Sequence, residues 1–164
     1  FTLPLLVANV TAILTFIPIG IISTKIGRKK AILIGIALLT VCFGSASFVN
    51  ESTGWVMYII FGLTGVGWAS INVNSYPMVV ELARGSDVGK YTGYYYAFSM
   101  GAQILTPILS GIFMDYVFKT RLILFPYAAV FVAASFITMF FTKHGDSDYI
   151  EKKGLLENFD VDMD

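Results

Sequence analysis

Charge is scarce in this chain, and cysteine and histidine are scarcer still. Charged side chains make up 13% of the 164 residues, about half the share in a soluble domain, which excludes an ordinary water-facing globule. The single cysteine, Cys42, rules out an intrachain disulfide and makes redox chemistry unexpected. The single histidine, His144, sits in a polar C-terminal stretch, too peripheral to serve as the base of a Ser nucleophile, and there is no His-Glu-x-x-His helix. No enzyme activity, cofactor, metal site or nucleic-acid partner is therefore expected. A basic leader is missing as well. Phe1 already enters an apolar run, so no cleavable signal peptide is read, and a fragment lacking its N-terminal part is the expectation.

What fills the chain instead is hydrocarbon. Hydrophobic residues reach 56% and the mean hydropathy is +0.74. They gather into five stretches, at 3–23, 31–49, 55–80, 92–114 and 122–142. A bilayer core about 30 Å thick takes roughly 20 helical residues to cross, and each stretch reaches or approaches that length. The fold class read from this is all-α, a polytopic membrane helical bundle over 1–142, followed by an acidic tail at 143–164. The tail holds Asp146, Asp148, Glu151, Glu157, Asp160, Asp162 and Asp164, reads as solvated with one short helix near 149–158, and lacks the glycine turn of a calcium loop.

The cations set the orientation. Lys25, Arg28, Lys29 and Lys30 follow the first stretch, Arg84 and Lys90 the third, and Lys143, Lys152 and Lys153 the fifth. These nine of eleven cations fall on one side, which the positive-inside rule makes cytoplasmic. The C-terminus is then cytoplasmic, and an integral protein of the plasma membrane is expected.

The loop from Gly20 to Lys30, GIISTKIGRKK, is the most specific local signal. Glycine permits a tight turn, Gly27 can take a positive φ, and the cation cluster suits an anionic membrane surface. Its spacing resembles the Gly-x-x-x-Asp-Arg/Lys-x-Gly-Arg-Arg/Lys-Arg/Lys loop of the major facilitator superfamily, matching at Gly20, Lys25, Gly27, Arg28, Lys29 and Lys30. It departs at Thr24, where the family carries aspartate. Two further runs, GWASINVNSYP from Gly67 to Pro77 and GAQILTPILSG from Gly101 to Gly111, look like the sucrose–proton and glycoside–cation symporter branch. The resemblance extends to about Gly145. It implies five transmembrane helices of a six-helix half, helices eight to twelve of twelve, with the missing N-terminal half of the same transporter as a partner. It implies cation-coupled solute transport by alternating access. The coupling proton or sodium would be handled by carboxylates in the absent helices, because no carboxylate lies mid-span here.

Polarity concentrates in two spans. The third carries Trp68, Ser70, Asn72, Asn74, Ser75 and Tyr76; the fourth carries three consecutive tyrosines from Tyr94, then Ser99, Gln103, Thr106 and Ser110. Amides facing lipid are costly, so these groups should turn toward protein or water. At about 3.6 residues per turn, Gly65, Trp68, Asn72, Ser75 and Tyr76 share one stripe and Gly67, Ser70, Ile71 and Asn74 a second. An aromatic ring beside an amide suits a sugar, whose C–H face stacks while its hydroxyls pair. Trp68, Asn72, Asn74, Tyr76 and Gln103 are accordingly the candidate solute-binding residues, with helix–helix hydrogen bonding as the alternative for each amide. Gly62, Gly65, Gly67, Ala97 and Gly101 are read as close-approach positions, and Pro18, Pro77 and Pro107 as points of softening. Glu81 pairs either with Arg84, three residues on, or across the loops with Arg28 or Lys29, closing a gate; Asp115 stands beside Lys119 and Arg121. The function expected is secondary transport of a small solute, a sugar or glycoside, by proton symport. The alternative is a non-transporting receptor or scaffold with the same fold.

Overall fold

The computed structural model describes residues 2–49, 53–82, 87–117 and 123–142. Five helices run through them: α1 Thr2–Ile26, α2 Arg28–Ala46, α3 Val56–Leu82, α4 Val88–Ile112 and α5 Leu124–Phe141. A five-residue π-helical turn, Phe113–Val117, continues from α4. Each helix is long and apolar enough to cross a membrane. Helices are what a bilayer enforces, because only they satisfy every backbone N–H and C=O within one segment.

The bundle is apolar on the outside and built from small residues at its seams. Ile17, Phe98 and Phe141 are among the large side chains left outward, at 76%, 79% and 72% exposure. That surface would aggregate in water and is matched to acyl chains. The core, by contrast, includes Ala8, Ala12, Ala31, Ala46 and Ala69, all buried. With no hydrophobic drive between helices in lipid, close backbone approach and dispersion hold them together, which favours such residues.

Helix α3 is the central post. Along α1 it runs parallel: Gly62 faces Val7 and Thr11, Gly65 faces Ala8 and Ala12, and Val73 faces Gly20. Against α2 it runs antiparallel, with Gly35 set on Ser70 and the Gly67 carbonyl, and Gly67 on Leu39. Helix α5 lies along α2, where Ile32 and Ile36 cluster with Met78, Val132, Phe136 and Met139. Helix α4 is the outlier and has no buried residue. It meets α3 through Tyr76, whose ring lies 5.8 Å from Tyr95 and 6.0 Å from Tyr96, and its π turn meets α5 through Phe113 and Tyr127, 5.6 Å apart.

Several helix ends lie beyond the apolar stretches. The polar run after Ser23 stays helical because Thr24 returns its hydroxyl to Ile21 O (2.7 Å) and Gly27 N–H bonds Ser23 O (3.0 Å). Only Gly27 separates α1 from α2, at φ 94°, where a Cβ would be strained. The tight turn therefore belongs to Gly27, while Gly20 lies inside α1 against Val73. Gly101 is likewise not a close-approach position: a Cβ there meets nothing within 4 Å. The acidic tail, Arg84, Lys119, Arg121 and the pairing expected at Asp115 lie outside the described residues.

Candidate functional site

The two polar stripes of α3 meet different surroundings, because the glycines dictate which face each neighbour takes. Gly67 brings α2 onto the second stripe. Ser70 and Asn74 are buried there, at 8% and 1% exposure, and Asn74 donates Nδ2–H to Ser70 O (2.7 Å). Asn74 is thus sealed in the α2–α3 seam. On the first stripe α1 covers Gly65 and Ser75 is half-buried, but the rest stays open. Trp68 is 57% and Tyr76 37% exposed, and Asn72 is exposed between them. Asn72 donates to Trp68 O (2.9 Å), and its side-chain oxygen accepts no hydrogen bond among the described residues.

On α4, Gln103 is exposed and Ser99 and Ser110 are half-buried on the same stripe. The stripe starts at Tyr96, which packs against Tyr76 and against Tyr95 (5.4 Å, edge to face). Tyr94, at 52% exposure, points elsewhere, so the three tyrosines do not share one face. Tyr76, Tyr95 and Tyr96 together close the α3–α4 contact toward the cation-rich end.

Sequence reasoning passed over one residue of this region. Asn9 of α1 lines a cleft of about 270 Å³ with Ala8, Phe43, Thr64, Trp68 and Val132, so four helices contribute to it. The exposed Asn9 amide makes no hydrogen bond among the described residues. Like Asn72 it is an amide in an apolar helix, but its span holds no second one. Among the described residues no three metal-ligating side chains converge.

At the cation-rich end the α1–α2 turn holds two other helices. Arg28 and Lys29 open α2, where the helix dipole disfavours cations. Both are compensated. Arg28 forms an ion pair with Glu81 of α3, with 25% and 28% of the two side chains exposed. Lys29 Nζ donates to Phe140 O (3.0 Å) and Thr142 O (2.5 Å), carbonyls left without helical partners at the end of α5. Of the three partners open to Glu81, then, the structure brings Arg28 to it across the loops. Lys25 and Lys30 are exposed. Thr24 bonds only within α1 and makes no clamp. Replacing Glu81 by Gln is expected to shift the balance of inward- and outward-accessible forms in a thiol-labelling assay, and exchanging the charges (Arg28→Glu with Glu81→Arg) to restore part of it. An unchanged balance would show the pair to be ornamental.

The sequence model of the Major Facilitator Superfamily matches residues 1–157. No curated protein matches the chain.

Proposed function

Because this chain belongs to the major facilitator superfamily, a family of membrane transporters, we propose that it carries a sugar or glycoside by proton symport through alternating access. The observation that carries the reading is the open stripe of α3, where Trp68, Asn72 and Tyr76 stand exposed on one face of a membrane helix. Hydrocarbon gives an exposed amide no partner, so this face is read as turned to a wet path. Trp68 and Tyr76 would stack on the C–H face of a pyranose, and Asn72 and Gln103 would pair with its hydroxyls. Asn74, in the seam, supports the stripe by fixing α3 on α2. Helices α3 and α4 then form one wall of the cavity, and the other wall belongs to the remaining part of the same transporter.

Opening and closing are assigned to the cation-rich end. There the Tyr76–Tyr95–Tyr96 contact and the Arg28–Glu81 pair would separate as the cavity opens to the cytoplasm. By the positive-inside rule the same cations support a cytoplasmic orientation for that end and for the C-terminus, in the plasma membrane. The coupling carboxylate is sought outside this chain, since Glu81, Asp87 and Asp115 stand at helix ends.

Radiolabelled sugar uptake into vesicles holding the whole transporter, with and without an inward proton gradient, tests the reading. Uptake stimulated by the gradient and abolished by an ionophore is expected. Sugar binding without flux would favour the receptor alternative, and flux indifferent to pH would remove the symport.

A further inference from the structure

The open stripe of α3 runs into the cleft described above, and the chemistry changes at the join. Trp68 belongs to both. It precedes Asn72 by one helical turn on the stripe, and it lines the cleft of about 270 Å³ with Asn9, Leu39, Phe43, Thr64 and Val132. Gly65 meets the backbone at Ala8 and Ala12, which sets Asn9 of α1 at the level of Gly65. Asn72 follows Gly65 by seven residues, about 10 Å of helix, with Trp68 between them. The amides of Asn9 and Asn72 therefore stand on either side of one indole ring.

Sites that take a whole drug-sized ligand run from about 300 to 1,000 Å³. The cleft is smaller and suits one part of a solute. Its walls indicate which part. Leu39, Phe43 and Val132 present hydrocarbon, and the Thr64 hydroxyl donates to Ile60 O (2.9 Å). Asn9 is the one amide on the cleft and makes no hydrogen bond among the described residues. A second sugar ring would bring several hydroxyls here and leave most of them unpaired, which is costly away from water. An acyl chain would match the hydrocarbon but leave the Asn9 amide without a partner. We infer that the cleft receives the aglycone of a glycoside, an aryl group carrying one polar substituent that Asn9 binds. This rests on the sugar reading of the stripe and narrows it, because a free hexose or a disaccharide would use the cleft poorly.

Methyl, phenyl and para-hydroxyphenyl glycosides, each as glucoside and galactoside, test the assignment on the whole transporter. The phenyl compound of the accepted sugar should bind about tenfold more tightly than the methyl one, as burial of an aromatic ring predicts. The para-hydroxyl should add a further severalfold, and Asn9→Leu should erase that second gain while keeping the first. Thiol protection supplies an independent readout. In a Cys42→Ala background, the phenyl glycoside should shield both Leu5→Cys, on the cleft wall, and Asn72→Cys from an impermeant reagent. The methyl glycoside should shield Asn72→Cys alone. Shielding of Asn72→Cys by both compounds with Leu5→Cys left reactive would overturn the aglycone assignment and leave the sugar reading standing. No shielding at either position by any glycoside would remove both. Reaction of Leu5→Cys with a lipid-soluble reagent only would give the cleft to an acyl chain or a packed helix, and would also overturn the inference.

Discussion

Replacing Asn72 by alanine is expected to weaken solute binding about tenfold, the equivalent of about 1.4 kcal/mol, with no change in thermal unfolding. Asn74→Ala should do the reverse. The two amides sit two residues apart on α3 and face opposite environments, one exposed and one at 1% exposure. Removing the Asn72 side chain takes away the proposed partner of a solute hydroxyl and, the side chain being exposed, leaves no cavity in the protein. Its bond to Trp68 O is made to a carbonyl of its own helix, so α3 does not depend on it. Removing the Asn74 side chain empties a packed seam between α2 and α3, a loss on the order of 1–2 kcal/mol for a small buried group. Equilibrium binding and a melting curve in the same detergent separate the two outcomes. If both variants lost binding and stability in parallel, the distinction between open and sealed stripes would fail.

A larger effect is expected at Gly65. A Cβ there would overlap the Ala8 carbonyl oxygen and sit 3.1 Å from the Ala12 amide nitrogen, and neither is the end of a side chain that can swing aside. Helices α1 and α3 must separate to admit it. Gly65→Ala is therefore expected to cost about 2–3 kcal/mol, in the range of overpacked interiors, and Gly65→Leu to abolish the folded bundle. Gly101→Ala supplies the contrast, since its Cβ would enter open space and a better helix former would replace glycine. Recovery of monodisperse protein after heating measures both. Equal tolerance at the two positions would mean that α1 and α3 do not approach as described.

These effects show which parts of the architecture could be read from residue order alone. The five helices were legible because long apolar runs without charge have one stable form in a bilayer. Their ends were not. Thr24 and Lys25 look like loop residues, yet hydroxyl-to-carbonyl bonding and a single positive-φ glycine carry the helices to within one residue of each other. The separation of Asn72 from Asn74 onto two stripes was legible from helical geometry. Which stripe is open was not, because α1 and α2 are largely apolar all round and α3 is polar on two stripes, so periodicity cannot orient them. That choice is made by Gly65, Gly67 and Gly35 meeting particular backbones. The Arg28–Glu81 pair was one of three pairings the sequence allowed, and only tertiary packing chose among them. Lys29 at the end of α5 had no local signature at all, since its partners are carbonyls more than a hundred residues away.

The central claim is that α3 presents one face to water within the membrane and seals the other. Single cysteines at positions 66, 68, 70, 72, 74 and 76, introduced in a Cys42→Ala background and treated with a membrane-impermeant thiol reagent, test it most directly. Labelling should be strong at 68, 72 and 76, reduced by the proposed sugar solute, and weak at 66, 70 and 74. Labelling at 70 and 74 instead, or at none of the six while a lipid-soluble reagent reaches 68 and 72, would contradict it.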